Sequence, residues 1–218
     1  MKNSSVLLRL GAAIAIIANV VAGILFPDHN SLSAPVQPLY VPLNVASVIG
    51  VTLLLFGLAG WYCRHAGALG RRGVCGLSLV VLTLLLAGVF QGLYQALVFP
   101  MAAAQAPALL TPGPALFLPL LLLSVLCEIV GPLLLGWDLL QRSIGPRWAA
   151  TCMLVSAPAT VLWFVSVLVD GEGAPSPLTV VGNLLSAALL FIAFAGFGTE
   201  PVHEQLDRRA ATAVPSAP

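Results

Sequence analysis

Six apolar runs dominate the sequence, and each is long enough to cross a hydrocarbon core of about 30 Å, which takes about 20 helical residues. They cover residues 6–26, 42–62, 74–99, 115–140, 148–169 and 178–198. Lipid offers no water to an unpaired backbone amide, so each run must satisfy its own hydrogen bonds as an α-helix. Of the 218 residues, 59% are hydrophobic and 8% charged, whereas soluble domains carry about 25% charged residues. So little charge cannot cover a water-facing surface. The expected fold is all-α: a polytopic transmembrane bundle of six spans, both termini cytoplasmic, over residues 1–198. Residues 199–218 form a short, partly disordered cytoplasmic tail.

Orientation follows from where the basic residues fall. Lys2 and Arg9 sit at the start of the first span, Arg64, Arg71 and Arg72 between the second and third, Arg142 and Arg147 between the fourth and fifth, and Arg208 and Arg209 after the sixth. All nine basic residues therefore lie at one end of the bundle. The opposite connections hold Asp28, His29, Asp170 and Glu172. The positive-inside rule makes the basic end cytoplasmic, in the cell membrane. Trp61, Tyr62, Trp137 and Trp148 stand where an aromatic belt at that interface is expected. Lys2 and Arg9 before an apolar stretch, with Val20-Val21-Ala22-Gly23 as a cleavage site, also fit a secretory signal; a retained first span is the favoured reading.

Several chemistries are excluded by what the chain lacks. A net charge of +1 supplies no basic field for nucleic acid. The single lysine is Lys2, and the histidines, His29, His65 and His203, all lie outside the runs. That removes an intramembrane Schiff base and a bis-histidine haem. Neither an H-E-x-x-H helix nor a G-x-x-x-x-G-K-[ST] phosphate loop occurs. Cys63-x-His65 is too sparse for a metal site, and no cofactor is implied. Of the cysteines, Cys63, Cys75 and Cys152 lie near the basic, reducing end and Cys127 lies at mid-membrane, so a structural disulfide is not expected.

Glu128 is the one carboxylate or base expected at mid-membrane depth. It lies about 13 residues into the fourth run, roughly 20 Å from its start. A central charge costs about 2.5–3.5 kcal/mol on insertion scales, so such residues face the bundle interior or a water-filled cavity. With no intramembrane cation beside it, burial favours the neutral form unless water or a cationic ligand reaches it. Ser124, Glu128, Gly131, Leu135, Asp138 and Arg142 follow helical steps down one stripe, the small and polar face expected against neighbouring helices. Pro119 and Pro132 flank Glu128 and can free carbonyls beside it. Farther down, Asp138 and Arg142 are spaced as an i,i+4 ion pair at the interface.

The other runs add polar side chains mostly in the half away from the basic end, among them Asn19 in the first, Gln91, Tyr94 and Gln95 in the third, Trp163 in the fifth and Asn183 in the sixth. Buried amides need partners, and pairing across helices contributes about 0.6–2 kcal/mol each. They serve either as interhelical glue or as the lining of a polar cavity with Glu128 at its floor. Gly88-x-x-x-Gly92 is a close-packing motif, read first as packing within the chain. Gly60-Trp61 recurs as Gly136-Trp137 and Arg71 as Arg147, a faint parallel repeat that interfacial belts and basic turns explain without duplication.

Three functions compete. The first is a small integral membrane protein that binds or transports a small-molecule ligand, with Glu128, Ser124, Gln91, Tyr94, Gln95, Asn19, Trp163 and Asn183 as ligand contacts. The alternative is an accessory subunit packed against other membrane subunits, with Glu128 as an interhelical hydrogen-bond donor. An intramembrane enzyme is least favoured: only Cys127 and Glu128 are adjacent at depth, and neighbours at i,i+1 point in different directions. The sequence leaves the substrate unwritten.

Overall fold

The computed structural model describes residues 3–26, 33–106, 110, 117–170 and 175–199, and all of its regular structure is helical. Six helices are long and apolar enough to cross a membrane. They are α1 (Asn3–Leu25), α2 (Tyr40–His65), α3 (Arg71–Gln105), α4 (Phe117–Arg142), α5 (Arg147–Asp170) and α6 (Pro177–Phe197). A 3-10 turn, Ala34–Val36, precedes α2. The expected C-terminal tail beyond Thr199 and the loop residues Asp28, His29 and Glu172 lie outside the described residues.

The helices form a closed ring. α1 packs on α2 and α6, α6 on α5, α5 on α4 and α4 on α3, and the second half of α3 returns against α2. In lipid the outward face gains nothing from leaving its solvent, so helix association rests on close packing. Small residues provide it. A Cβ added at Gly11 would lie 2.6 Å from the Gly50 carbonyl oxygen, so α1 and α2 meet backbone to backbone. A Cβ at Gly76 would lie 2.5 Å from the Leu135 amide nitrogen, which locks α3 onto α4. Ile17, Phe56, Leu126 and Leu168 stay exposed around the outside, the surface that an apolar solvent requires.

The structure departs from hydropathy and belt patterning in two places. The third run is expected to end at Phe99, yet α3 continues through Pro100 to Gln105. Gln91, Tyr94 and Gln95 are therefore deeper than one or two turns from its end. Two segments of α3, Leu84–Phe90 and Tyr94–Val98, are π-helical. Wider π turns shift the rotational phase of whatever follows, and they recur at functional sites. The second departure is Trp61, expected in an interfacial belt. It is fully buried and stacks between His65 and Phe197, with ring centroids at 4.6 and 5.3 Å. Trp137 and Trp148 are half exposed, as belt residues are. The two Gly-Trp pairs thus sit in different surroundings, which argues against a structural repeat.

Candidate functional site

Every one of the six helices contributes to a single cavity of about 650 Å³, within the range of about 300–1,000 Å³ typical of small-molecule sites. It runs from the middle of the ring toward the end opposite the arginines. Its wall is mixed: apolar side chains such as Val51, Leu84, Leu190 and Phe191 alternate with amides and hydroxyls.

Glu128 stands at the inner end. It projects from the middle of α4 and lines the cavity. The Thr160 hydroxyl of α5 donates to its Oε1 at 3.2 Å and is also 3.1 Å from the Ser156 carbonyl. Helical threonines commonly reach the carbonyl one turn back, so the single Thr160 hydroxyl proton is shared between the Ser156 carbonyl and Glu128. Arg142 is fourteen residues further along α4, about 21 Å away, so it offers Glu128 no counter-charge. Pro132 lies inside α4, whereas Pro119 is close to its start.

Five of the other expected contacts converge on the same cavity. Asn19, Gln91, Gln95, Trp163 and Asn183 line it from α1, α3, α5 and α6. The Asn19 amide donates to the Ala15 carbonyl at 2.8 Å and to Ser47 Oγ at 3.0 Å, bridging α1 to α2. Tyr40 donates to Gln95 Oε1. These amides are therefore both lining and interhelical glue, two roles that the chain by itself presents as alternatives.

Tyr94 and Ser124 do not line it. Tyr94 packs against the cluster of Phe26, Tyr40 and Phe99, with its ring centroid 6.2 Å from that of Phe99. Ser124 is buried one turn from Glu128, outside the cavity wall. Against these, the cavity gains Asn44, Ser47, Thr83, Asp170 and Thr179. Thr83, Ala87, Gln91 and Gln95 follow steps of four along α3, so extending the amide stripe two turns back would have found Thr83. Asp170 closes the far end. Its carboxylate accepts from the Ser176 amide at 2.8 Å and from the Thr179 hydroxyl, tying the end of α5 to the first turn of α6.

Gly88 and Gly92 face Val51 and Val48 of α2, so the small-residue motif packs within the chain. Asp138 and Arg142 meet at 3.0 Å at the opposite end. The second Asp138 oxygen accepts the Gly70 amide at 2.9 Å, a contact across helices that sequence spacing does not reveal. Among the described residues no group of three or more His, Cys, Asp or Glu is placed to hold a metal ion.

The sequence matches no protein-family model, and no curated protein or solved structure matches it. What bears on function is therefore the cavity itself.

Proposed function

We propose that this chain is a small integral membrane protein that binds, and passes or holds, a small ligand in the central cavity, with Glu128 at its floor. The observation that supports this most is that an isolated mid-helix carboxyl group faces a cavity to which all six helices contribute. An intramembrane carboxyl group is costly unless it is sheltered or used, and here it lines a space instead of being packed over. The positive-inside rule places the arginine-bearing end in the cytoplasm, so the cavity opens away from the cytoplasm and both termini are cytoplasmic.

The test uses thiol labelling. In a chain whose native cysteines are replaced, Asn183→Cys and Gln91→Cys are exposed in sealed vesicles to a water-soluble maleimide on one side or the other. Labelling from the arginine-free side is the expected result. An absence of labelling from either side would remove the open cavity. The competing accessory-subunit reading has the Glu128–Thr160 bond between α4 and α5 in its favour. It predicts that no solute stabilises the isolated protein, whereas the binding reading predicts a solute that raises the melting temperature of wild type more than that of Glu128→Gln.

A further inference from the structure

We infer that the ligand is an amphiphilic organic cation, an ammonium ion on an apolar body, bound with its charge between Glu128 and the Trp163 ring. This rests on the ligand-binding reading and gives it a substrate class. Three independent features carry it.

The first is the sign of the lining. The described wall contains two carboxyl groups, Glu128 and Asp170, and no lysine, arginine or histidine. Asn19, Asn44, Gln91, Gln95 and Asn183 can serve a ligand of either sign, since an amide both donates and accepts. The only fixed preference is therefore for positive charge. An anion would find no cationic side chain to receive it, only carboxyl groups at both ends, whereas a cation can hold Glu128 in its charged form.

The second is the placement of Trp163 and Thr83. Trp163 lies one helical turn from Thr160, the partner of Glu128, and lines the same cavity. An indole and a carboxyl group lining one cavity favour an ammonium group, because the ring quadrupole adds to the Coulomb attraction. On the facing wall, α3 and α4 run antiparallel with Gly76 against Leu135 and Val80 against Gly131. That register brings Thr83 level with Glu128. Thr83 also lines the cavity and is 4% exposed, and its hydroxyl has no hydrogen-bond partner among the described residues. A buried hydroxyl left unpaired is destabilising, and a bound N–H donor beside Glu128 is placed to relieve that cost.

The third is size and texture. About 650 Å³ is far more than a bare metal ion needs, and the apolar stretches of Leu84, Val51 and Phe191 call for a hydrocarbon portion. From Thr160 to Asp170 is ten residues, about 15 Å along α5, so an elongated cation can leave its charged group at the floor while its body fills the outer half.

The experiment compares three near-isosteric probes by isothermal titration on the purified full chain in an uncharged maltoside detergent at pH 7. They are 2-phenylethylammonium, 2-phenylethanol and phenylacetate. The cation is expected to bind at least about tenfold more tightly than the alcohol, with phenylacetate weakest, tenfold corresponding to about 1.4 kcal/mol. Glu128→Gln is expected to remove that tenfold preference while leaving the alcohol within about twofold. Glu128→Asp should restore part of it. Trp163→Leu leaves the Glu128–Thr160 pair in place and should lower affinity for the cation severalfold, which provides a second reading should Glu128→Gln fail to fold. Equal or tighter binding of the alcohol or of phenylacetate overturns the charge preference and leaves the ligand pocket standing. No binding by the cation overturns the inference as well, and the labelling of Asn183→Cys and Gln91→Cys decides separately whether the pocket falls with it.

Discussion

Replacing Asp138 by alanine should destabilise the bundle far more than removing its ion-pair partner, and the geometry says why. Asp138 is 3% exposed, and its two oxygens have different work. One accepts the Gly70 amide at 2.9 Å; the other meets Arg142 Nε at 3.0 Å. Gly70 is the N-cap residue of α3 and has no side chain with which to cap it, so Asp138 supplies the cap from another helix. A hydrogen bond to a charged acceptor contributes about 1.5–3 kcal/mol, and a negative charge at a helix N-terminus adds about 0.3–1 kcal/mol. The Arg142 side chain is 49% exposed, and exposed i,i+4 pairs contribute only about 0.3–0.5 kcal/mol. Asp138→Ala should therefore cost about 2–4 kcal/mol and Arg142→Ala about 0.5 kcal/mol, with Asp138→Asn between them because one acceptor oxygen survives. Unfolding in mixed micelles with rising dodecyl sulfate, followed by circular dichroism, measures all three. Equal costs for Asp138→Ala and Arg142→Ala would refute the idea that Asp138 stabilises the bundle chiefly by capping α3 from α4.

Other consequences are equally direct. Gly11→Ala should cost about 1–3 kcal/mol in the same micelle assay, the usual range for overpacking, because its new Cβ would meet the Gly50 carbonyl and the Leu54 amide, backbone that cannot swing aside. Trp61→Ala should cost about 3 kcal/mol and Trp137→Ala under about 1 kcal/mol, since the first ring is enclosed and the second is 53% exposed; matched melting temperatures for the two would contradict the assignment of Trp61 to the core. Trp61→Phe should be milder than Trp61→Ala, because the indole N–H is buried without a hydrogen-bond partner among the described residues and its loss leaves nothing unpaired. Gly92→Leu should both crowd Val48 and shrink the cavity, lowering stability and labelling of Asn183→Cys together.

Much of this molecule is legible in the chain because the bilayer permits few answers. A run of apolar residues in lipid has one way to satisfy its amides, so the six helices follow from hydropathy. The segregation of the arginines marks one end of the bundle, and the isolation of Glu128 marks the depth of the site. The i,i+4 spacing of Asp138 and Arg142 also fixes their mutual distance, since both lie on one helix. Within a single helix, periodicity settles which residues share a face.

Periodicity does not settle how each helix is rotated toward its neighbours. That rotation depends on which small residues let two backbones approach, and on the phase shift introduced by the π-helical segments of α3. Gln91 and Gln95 consequently turn into the cavity while Tyr94 turns to the aromatic cluster at Phe99, and Ser124 leaves a wall that Thr83 joins. Trp61 is drawn inside because Phe197 of α6 closes over it, a contact between the ends of α2 and α6 that no local pattern encodes, whereas His65 stacks on it from one turn along α2 itself. The sequence alone determined the spans and the lone acid, because solvent acts on each segment separately. The ring, the cavity and the cross-helix cap at Gly70 were decided by tertiary structure, because they depend on surfaces brought together from distant parts of the chain.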